Sequence, residues 1–143
     1  MNDRSSADPV PALPPLALPH GPMALGVDVT ELDRIERVVK QYGQRFLDRI
    51  YTPGEQAYCR GRIPQLAARF AAKEAVMKAL GTGRWGVGWR EVEVVRGRGA
   101  PSVTLHGRAR KRAEALGITA MAISITHGRD VAIVFVAATK VKP

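Results

Sequence analysis

A few charged or polar side chains interrupt packing patterns in this sequence, and they are where chemistry would sit. Leu25, Val27 and Val29 alternate with Gly26 and Asp28 in a run that fits a strand. Asp28 lies on the face opposite those apolar residues, where it either caps the next helix or offers carboxylate oxygens to a hard cation such as Mg²⁺. Further on, Gln65 to Leu80 reads as the longest helix. On a wheel of about 100° per residue, Leu66, Phe70, Met77 and Leu80 share one arc, with Lys73 inside it and Arg69 at its edge. A cation in an apolar stripe needs a partner to offset its desolvation. Lys73 therefore bridges to a carboxylate on another element, lifts its ammonium to the rim, or binds phosphate.

On the neighbouring flank Glu74 and Lys78 stand four apart, the spacing of an ordinary surface ion pair. Their sequel, Gly81-Thr82-Gly83, is a flexible turn whose backbone N–H groups suit an anion as well as a simple helix stop. His127 follows Ile123 and Ile125 in alternation at a strand end, either half-buried in the sheet or facing a site. Other chemistries find little support. The sequence has no metal-binding Cys/His set, no G-x-S-x-G turn and no P-loop, and nothing around Cys59 suggests a thiol activated by His127.

Composition narrows the partners. The 143 residues carry 22 Lys and Arg against 13 Asp and Glu, a formal charge of +9, so an anionic partner is expected. Residues 1–23 hold only Asp3, Arg4 and Asp8 as charges, which leaves the basicity to the remainder. Nucleic acid, phosphorylated ligands and acidic proteins all fit +9. The run Arg108-Ala109-Arg110-Lys111-Arg112 motivates a nucleic-acid module, but eight aromatic residues and no recognised nucleic-acid motif argue against one. The single Cys59 and the lack of a long apolar run lead to the expectation of a soluble cytoplasmic protein, without membrane association.

The elements that must position these residues follow from periodicity and punctuation. Six of ten prolines precede Met23, so residues 1–22 read as a flexible extension and 23–143 as one domain. A strand over Ala24 to Val29 leads to a helix for which Thr30 and Asp33 form a capping box, with Leu32, Ile35, Val39 and Tyr42 on one face and Gly43 as the stop. A segment from Arg45 passes through the Thr52-Pro53-Gly54-Glu55 turn to a short helix, and the long helix follows. Glu91 to Val95 and Ser102 to Leu105 pair as a hairpin, a basic helix spans Arg108 to Leu116, and strands over Met121 to Thr126 and Val131 to Ala137 complete the chain. The order β, α, α, α, β, β, α, β, β implies an α+β fold, an antiparallel sheet covered by helices.

Three stretches, Gly26-Val27-Asp28-Val29-Thr30-Glu31-Leu32-Asp33-Arg34-Ile35, Arg69-Phe70-Ala71-Ala72-Lys73-Glu74-Ala75 with Lys78-Ala79-Leu80-Gly81-Thr82-Gly83, and Ser124-Ile125-Thr126-His127, coincide in order and spacing. Together with Arg45-Phe46 and Thr52-Pro53-Gly54-Glu55, they resemble the holo-acyl-carrier-protein synthase family of 4′-phosphopantetheinyl transferases over about residues 24–138. The Trp85-Gly86-Val87-Gly88-Trp89 segment is richer in Gly and Trp than the family's usual connection. The resemblance implies transfer of 4′-phosphopantetheine from coenzyme A to a serine of an acidic acyl carrier protein, with Mg²⁺ held by Asp28 and Glu74. It implies Glu74 and Lys78 as catalytic residues, with Glu74 acting on the serine directly or through a water on the metal. Lys73, Lys78, Gly81, Thr82, Gly83 and His127 would line the coenzyme A pocket, and Arg34, Arg37, Arg45 and Arg49 would dock the carrier. It further implies a homotrimer with sites between subunits. The alternative is a catalytically silent relative that binds coenzyme A or an acidic partner.

Overall fold

A computed structural model of the chain describes residues 17–18, 21–83 and 86–140; most of the proline-rich extension, and Trp85, lie outside the described residues. Strands β1 (Ala17–Leu18), β2 (Gly21–Glu31), β5 (Ala120–His127) and β6 (Val131–Thr139) form an antiparallel sheet in the order β1-β2-β6-β5, and β3 (Val92–Val95) pairs with β4 (Ser102–Leu105) in a separate hairpin. Helices α1 (Leu32–Tyr42), α2 (Gln44–Ile50), α3 (Pro53–Cys59), α4 (Ile63–Leu80) and α5 (Gly107–Ala115) complete the α+β architecture, with a 3₁₀ turn at Trp89–Glu91.

Three local expectations change. The sheet begins inside the expected extension, because Gly21 and Pro22 pair with Ala17 and Leu18. Residues Gln44–Ile50 are helical where a connecting segment was expected. The Thr30 capping box does not form: Thr30 stays in the ladder opposite Ala132 and donates its hydroxyl to Asp28 Oδ2 at 3.1 Å. Helix α1 therefore starts at Leu32, whose N–H is satisfied by the Asp130 carbonyl at 2.9 Å. A capping box forms instead at α3, where Thr52 accepts from the Glu55 N–H and Glu55 accepts from the Thr52 N–H.

Helix α4 is buried on nearly every side, so its apolar arc is only part of its contact surface. Six alanines (Ala67, Ala68, Ala71, Ala72, Ala75, Ala79) give it the thin profile this requires. It comes so close to β2 that a Cβ at Gly26 would overlap the Ala75 carbonyl. Gly26, Asp28 and Thr30 thus face the helix, while Leu25, Val27 and Val29 point away and are 49–56% exposed, beside Phe135 and Ile133 of β6. Two core clusters flank α4, one toward the sheet, hairpin and α5, the other toward α1, α2 and α3, and Trp89 packs against both.

Lys73 crosses from α4 into this interior. It is fully buried, and its Nζ donates to Glu55 Oε1 at 2.7 Å, the Trp89 carbonyl at 3.0 Å and the Val92 carbonyl at 2.5 Å. Burial pulls its pKa down, and the Glu55 carboxylate opposes that pull. Lys73 therefore bridges to a carboxylate on another element, and the expectation that it lines the coenzyme A pocket is corrected, because all its donors are used inside the core. The network extends outward: Glu55 Oε2 accepts the Val94 N–H at 3.0 Å, the Thr52 hydroxyl donates to Glu93 Oε2 at 2.6 Å, and Glu93 Oε1 meets His106 Nε2 at 3.0 Å.

Two outcomes follow from this packing. Gly26→Ala is expected to cost about 3 kcal/mol or more, since helix and strand backbones must separate to admit the methyl; a thermal midpoint unchanged from the parent would contradict the close approach. The Thr52 hydroxyl, then His106, hold the Glu93 carboxyl below its usual value of 4.5 against a smaller effect of burial. Its folded pKa is depressed, so its contribution is complete above that usual value and is lost as pH falls through the lower folded one. Glu93→Gln is expected to flatten the decline of thermal midpoint on the acid side, and an unchanged decline would contradict this.

Candidate active site

Helix α4 carries polar groups on two opposite flanks, and each flank builds half of a site. On the β2 flank, Lys78 Nζ donates to Asp28 Oδ1 at 3.0 Å and to the Val27 carbonyl at 3.0 Å. Asp28 is 8% exposed and held at its other oxygen by Thr30, whereas the Lys78 side chain is more than half exposed, so the pair joins a buried carboxylate to an ammonium that reaches solvent. Glu74, one turn before Lys78 and half-buried, lines a cleft of about 170 Å³ with Met77, Lys78 and Gly83. Gly81 ends α4 in the left-handed region (φ +71°) and Gly83 repeats it (φ +58°), conformations that favour glycine. Between them the Thr82 hydroxyl is buried with no partner among the described residues. A metal would find two carboxylates here, Asp28 and Glu74; among the described residues no group of three His, Cys, Asp or Glu converges.

On the other flank, Arg69, Arg96, Tyr58, Gln65 and His127 line a polar cleft of about 300 Å³ that no carboxylate borders among the described residues. Arg69 is 4% exposed, its guanidinium lies 4.0 Å from the Tyr58 ring centroid, and its Nε has no partner among the described residues. Arg96 donates to the Tyr58 hydroxyl at 2.7 Å, and Arg62 also lies over that ring. Burial would raise the Tyr58 pKa, but the Arg96 hydrogen bond and three guanidinium charges outweigh it and pull it down. Like charges gathered around one phenol, with a buried donor unpaired among the described residues, give this cleft the chemistry to accept an anion. At about 100° per residue Glu74 and Lys78 point away from Gln65 and Arg69, and His127 lines a different cleft from Glu74 and Lys78.

The four arginines expected to dock a carrier, Arg34, Arg37, Arg45 and Arg49, separate as well. Arg45 and Arg49 border an apolar groove of about 490 Å³ walled by Val38, Tyr42, Phe46, Ile50 and Trp89. Arg34 sits nearby, 5.5 Å above the Phe70 ring, which stacks on Trp89 at 4.9 Å. Arg37 faces a different cleft with Glu31, Asp33 and Glu36, where carboxylates offset its charge.

Sequence reasoning missed Tyr58 and Arg96 as partners of His127, Trp89 as a groove wall, and Arg112, whose Nε donates to the Leu80 carbonyl at 3.0 Å and so braces the Gly81 turn from α5. Arg69 was visible at the edge of the apolar arc. The rest are contacts between elements distant in sequence and left no local signal. Burial raises the Cys59 thiol pKa, so that thiol is poorly suited to nucleophilic work.

The chain resembles proteins of one kind. It is 53% identical over 107 residues to a holo-acyl-carrier-protein synthase of Solibacter usitatus (71% of this chain, 86% of the relative). It is 46% identical over 122 residues to one of Herpetosiphon aurantiacus (80% and 96%). Among solved structures, the Helicobacter pylori holo-acyl-carrier-protein synthase in complex with coenzyme A matches with a TM-score of 0.73 at 29% identity, covering 80% of this chain and 98% of that one. The Neisseria meningitidis enzyme matches at 0.73 and 37%, covering 80% and 96%. A family model matches residues 24–134, the span that carries both flanks of α4, and the chain belongs to the 4′-phosphopantetheinyl transferase superfamily.

Proposed function

We propose that this chain transfers 4′-phosphopantetheine from coenzyme A to a serine hydroxyl of an acidic acyl carrier protein. The observation that carries this reading is the Lys78–Asp28 ion pair at the edge of a cleft that Glu74, Lys78 and Gly83 line, with an arginine-rich cleft on the opposite flank of the same helix. Coenzyme A has phosphates at two separated places, a pyrophosphate and a ribose phosphate, and the two flanks divide along the same lines. The pyrophosphate belongs with Lys78, Gly81, Thr82 and Gly83, and the nucleotide with His127, Arg69 and Arg96.

The serine oxygen forms a bond to the pantetheine-bearing phosphorus as the bond to the bridging oxygen breaks, and adenosine 3′,5′-bisphosphate leaves. Lys78, which lines this cleft and is more than half exposed, meets the charge that develops on the phosphoryl oxygens. Glu74 takes up the serine proton, directly or across one water. Mg²⁺ fits the donor set, since two carboxylates supplemented by substrate phosphates are what that ion accepts, and Asp28 and Glu74 would hold it. Bound there, it would neutralise phosphate charge during transfer.

The carrier docks at the apolar groove, where Arg34, Arg45 and Arg49 steer an acidic surface; Arg37 lies in the separate, carboxylate-lined cleft of α1 and adds little to that steering. A homotrimer is supported by two features, the exposed apolar sheet face of Leu25, Val27, Val29, Ile133 and Phe135 and the incomplete half-sites on each chain. Among the described residues no helix is long and apolar enough to cross a membrane, and the buried free thiol of Cys59 suits a reducing cytoplasm.

The expected product is an apo acyl carrier protein gaining one phosphopantetheine with coenzyme A and Mg²⁺ but not with EDTA, read by intact-mass spectrometry. Asp28→Ala and Glu74→Ala are each expected to lower that turnover by about 100-fold or more while the chain stays folded, because Glu74 is only half-buried and Asp28 accepts from Thr30 and the exposed Lys78 rather than packing in the apolar core. Parent-like turnover in either variant would overturn the assignment.

A further inference from the structure

Lys73 is buried and lines neither of the two clefts, so a basic group at this position asks for a reason beyond filling space. An apolar residue of similar volume would avoid the desolvation of an ammonium, and such replacements of buried ion pairs are often neutral or stabilising. What the ammonium provides is direction. Two of its three acceptors are backbone carbonyls, Trp89 and Val92, at the ends of one short segment that runs from the 3₁₀ turn into β3. The same segment is gripped again by its side chain: the Trp89 ring stacks on Phe70, three residues before Lys73 on α4, at 4.9 Å and an interplanar angle of 21°. Trp89 is thereby tied to α4 through both backbone and ring, and its indole forms one wall of the groove bordered by Arg45 and Arg49.

We propose that Lys73 is a positioning residue for carrier recognition: by holding the Trp89 and Val92 carbonyls it sets the indole wall of the groove against α1 and α2. The proposal rests on the reading that the acidic carrier docks in this groove. It divides labour between neighbours on one helix, with Lys73 fixing where the carrier sits and Glu74 facing the transferred group. Its signature is kinetic. A role confined to stability lowers the active fraction and hence apparent kcat, leaving both KM values alone, whereas a displaced groove wall changes the KM for the carrier.

Three variants carry the test, with apo acyl carrier protein and coenzyme A varied separately. Lys73→Met combined with Glu55→Gln removes the clamp without stranding a buried carboxylate; the carrier KM is expected to rise at least about fivefold, with the coenzyme A KM within about twofold. Glu55→Gln alone keeps the ammonium on both carbonyls and is expected to leave the carrier KM within about twofold of the parent. Should the methionine variant not fold, Lys73→Gln with Glu55→Gln retains an amide donor for one carbonyl and is expected to show a smaller rise of the same kind. An unchanged carrier KM in a folded Lys73 variant overturns the proposal, as does an equal rise in both KM values. Trp89→Ala separates the causes: if it raises the carrier KM and the Lys73 variants do not, the clamp is wrong, and if it too leaves the carrier KM unchanged, the docking reading itself is wrong.

Discussion

The close approach of α4 to β2 at Gly26 sets the geometry on which the site depends. Because no Cβ intervenes, the Ala75 carbonyl rests against the strand, and the residues on either side of that contact are the ones with chemistry. Asp28 lies two residues along the strand on the same face, and Glu74 and Lys78 flank Ala75 on the helix. A wider spacing would move Lys78 Nζ away from Asp28 and the Val27 carbonyl, both now at 3.0 Å. The alanines of α4 serve the same end, since a helix with bulky residues on that side would stand nearer the usual 8–10 Å from its neighbours.

Once the helix is seated this deeply, each charged residue on it must be resolved separately, and the solutions differ by direction. Lys73 points into the interior and is satisfied by Glu55 and two carbonyls. Lys78 lies along the strand edge, paired yet exposed. Arg69 is sunk against Tyr58 with one donor unmet. Residues of similar charge on one helix thus end in three settings, an internal bridge, an exposed ion pair and a guanidinium stacked on a phenol, because the surroundings of each differ in burial and in available acceptors.

Much of this was legible in the sequence. The long helix, its glycine stop, the hairpin and the last two strands followed from periodicity, and the clash of Lys73 with an apolar arc correctly marked it as needing a partner. Which partner was not legible, because Glu55 lies on another element and pairing across elements leaves no periodic trace. The Thr30 cap was misplaced for a physical reason: a hydroxyl that would cap a helix serves a neighbouring carboxylate equally well, and here Asp28 claimed it. The apolar alternation of β2 marked a strand but could not say that its apolar side faces outward, since that depends on the glycine contact with α4. The separation of His127 from Asp28 could not be read locally either, because it arises from the opposite flanks of α4.

The proposed homotrimer requires that the two half-sites of each chain be completed by a neighbouring copy. Subunit complementation tests it most directly: a Glu74→Ala chain and an Arg96→Ala/His127→Ala chain, each defective alone, are co-assembled and assayed at low coenzyme A. In a random mixture about one interface in four would join an intact Asp28–Glu74–Lys78 flank to an intact His127 flank. Recovery of turnover toward that fraction is the predicted result. Activity no greater than the sum of the two separate variants would contradict the account and require both flanks to act within a single chain.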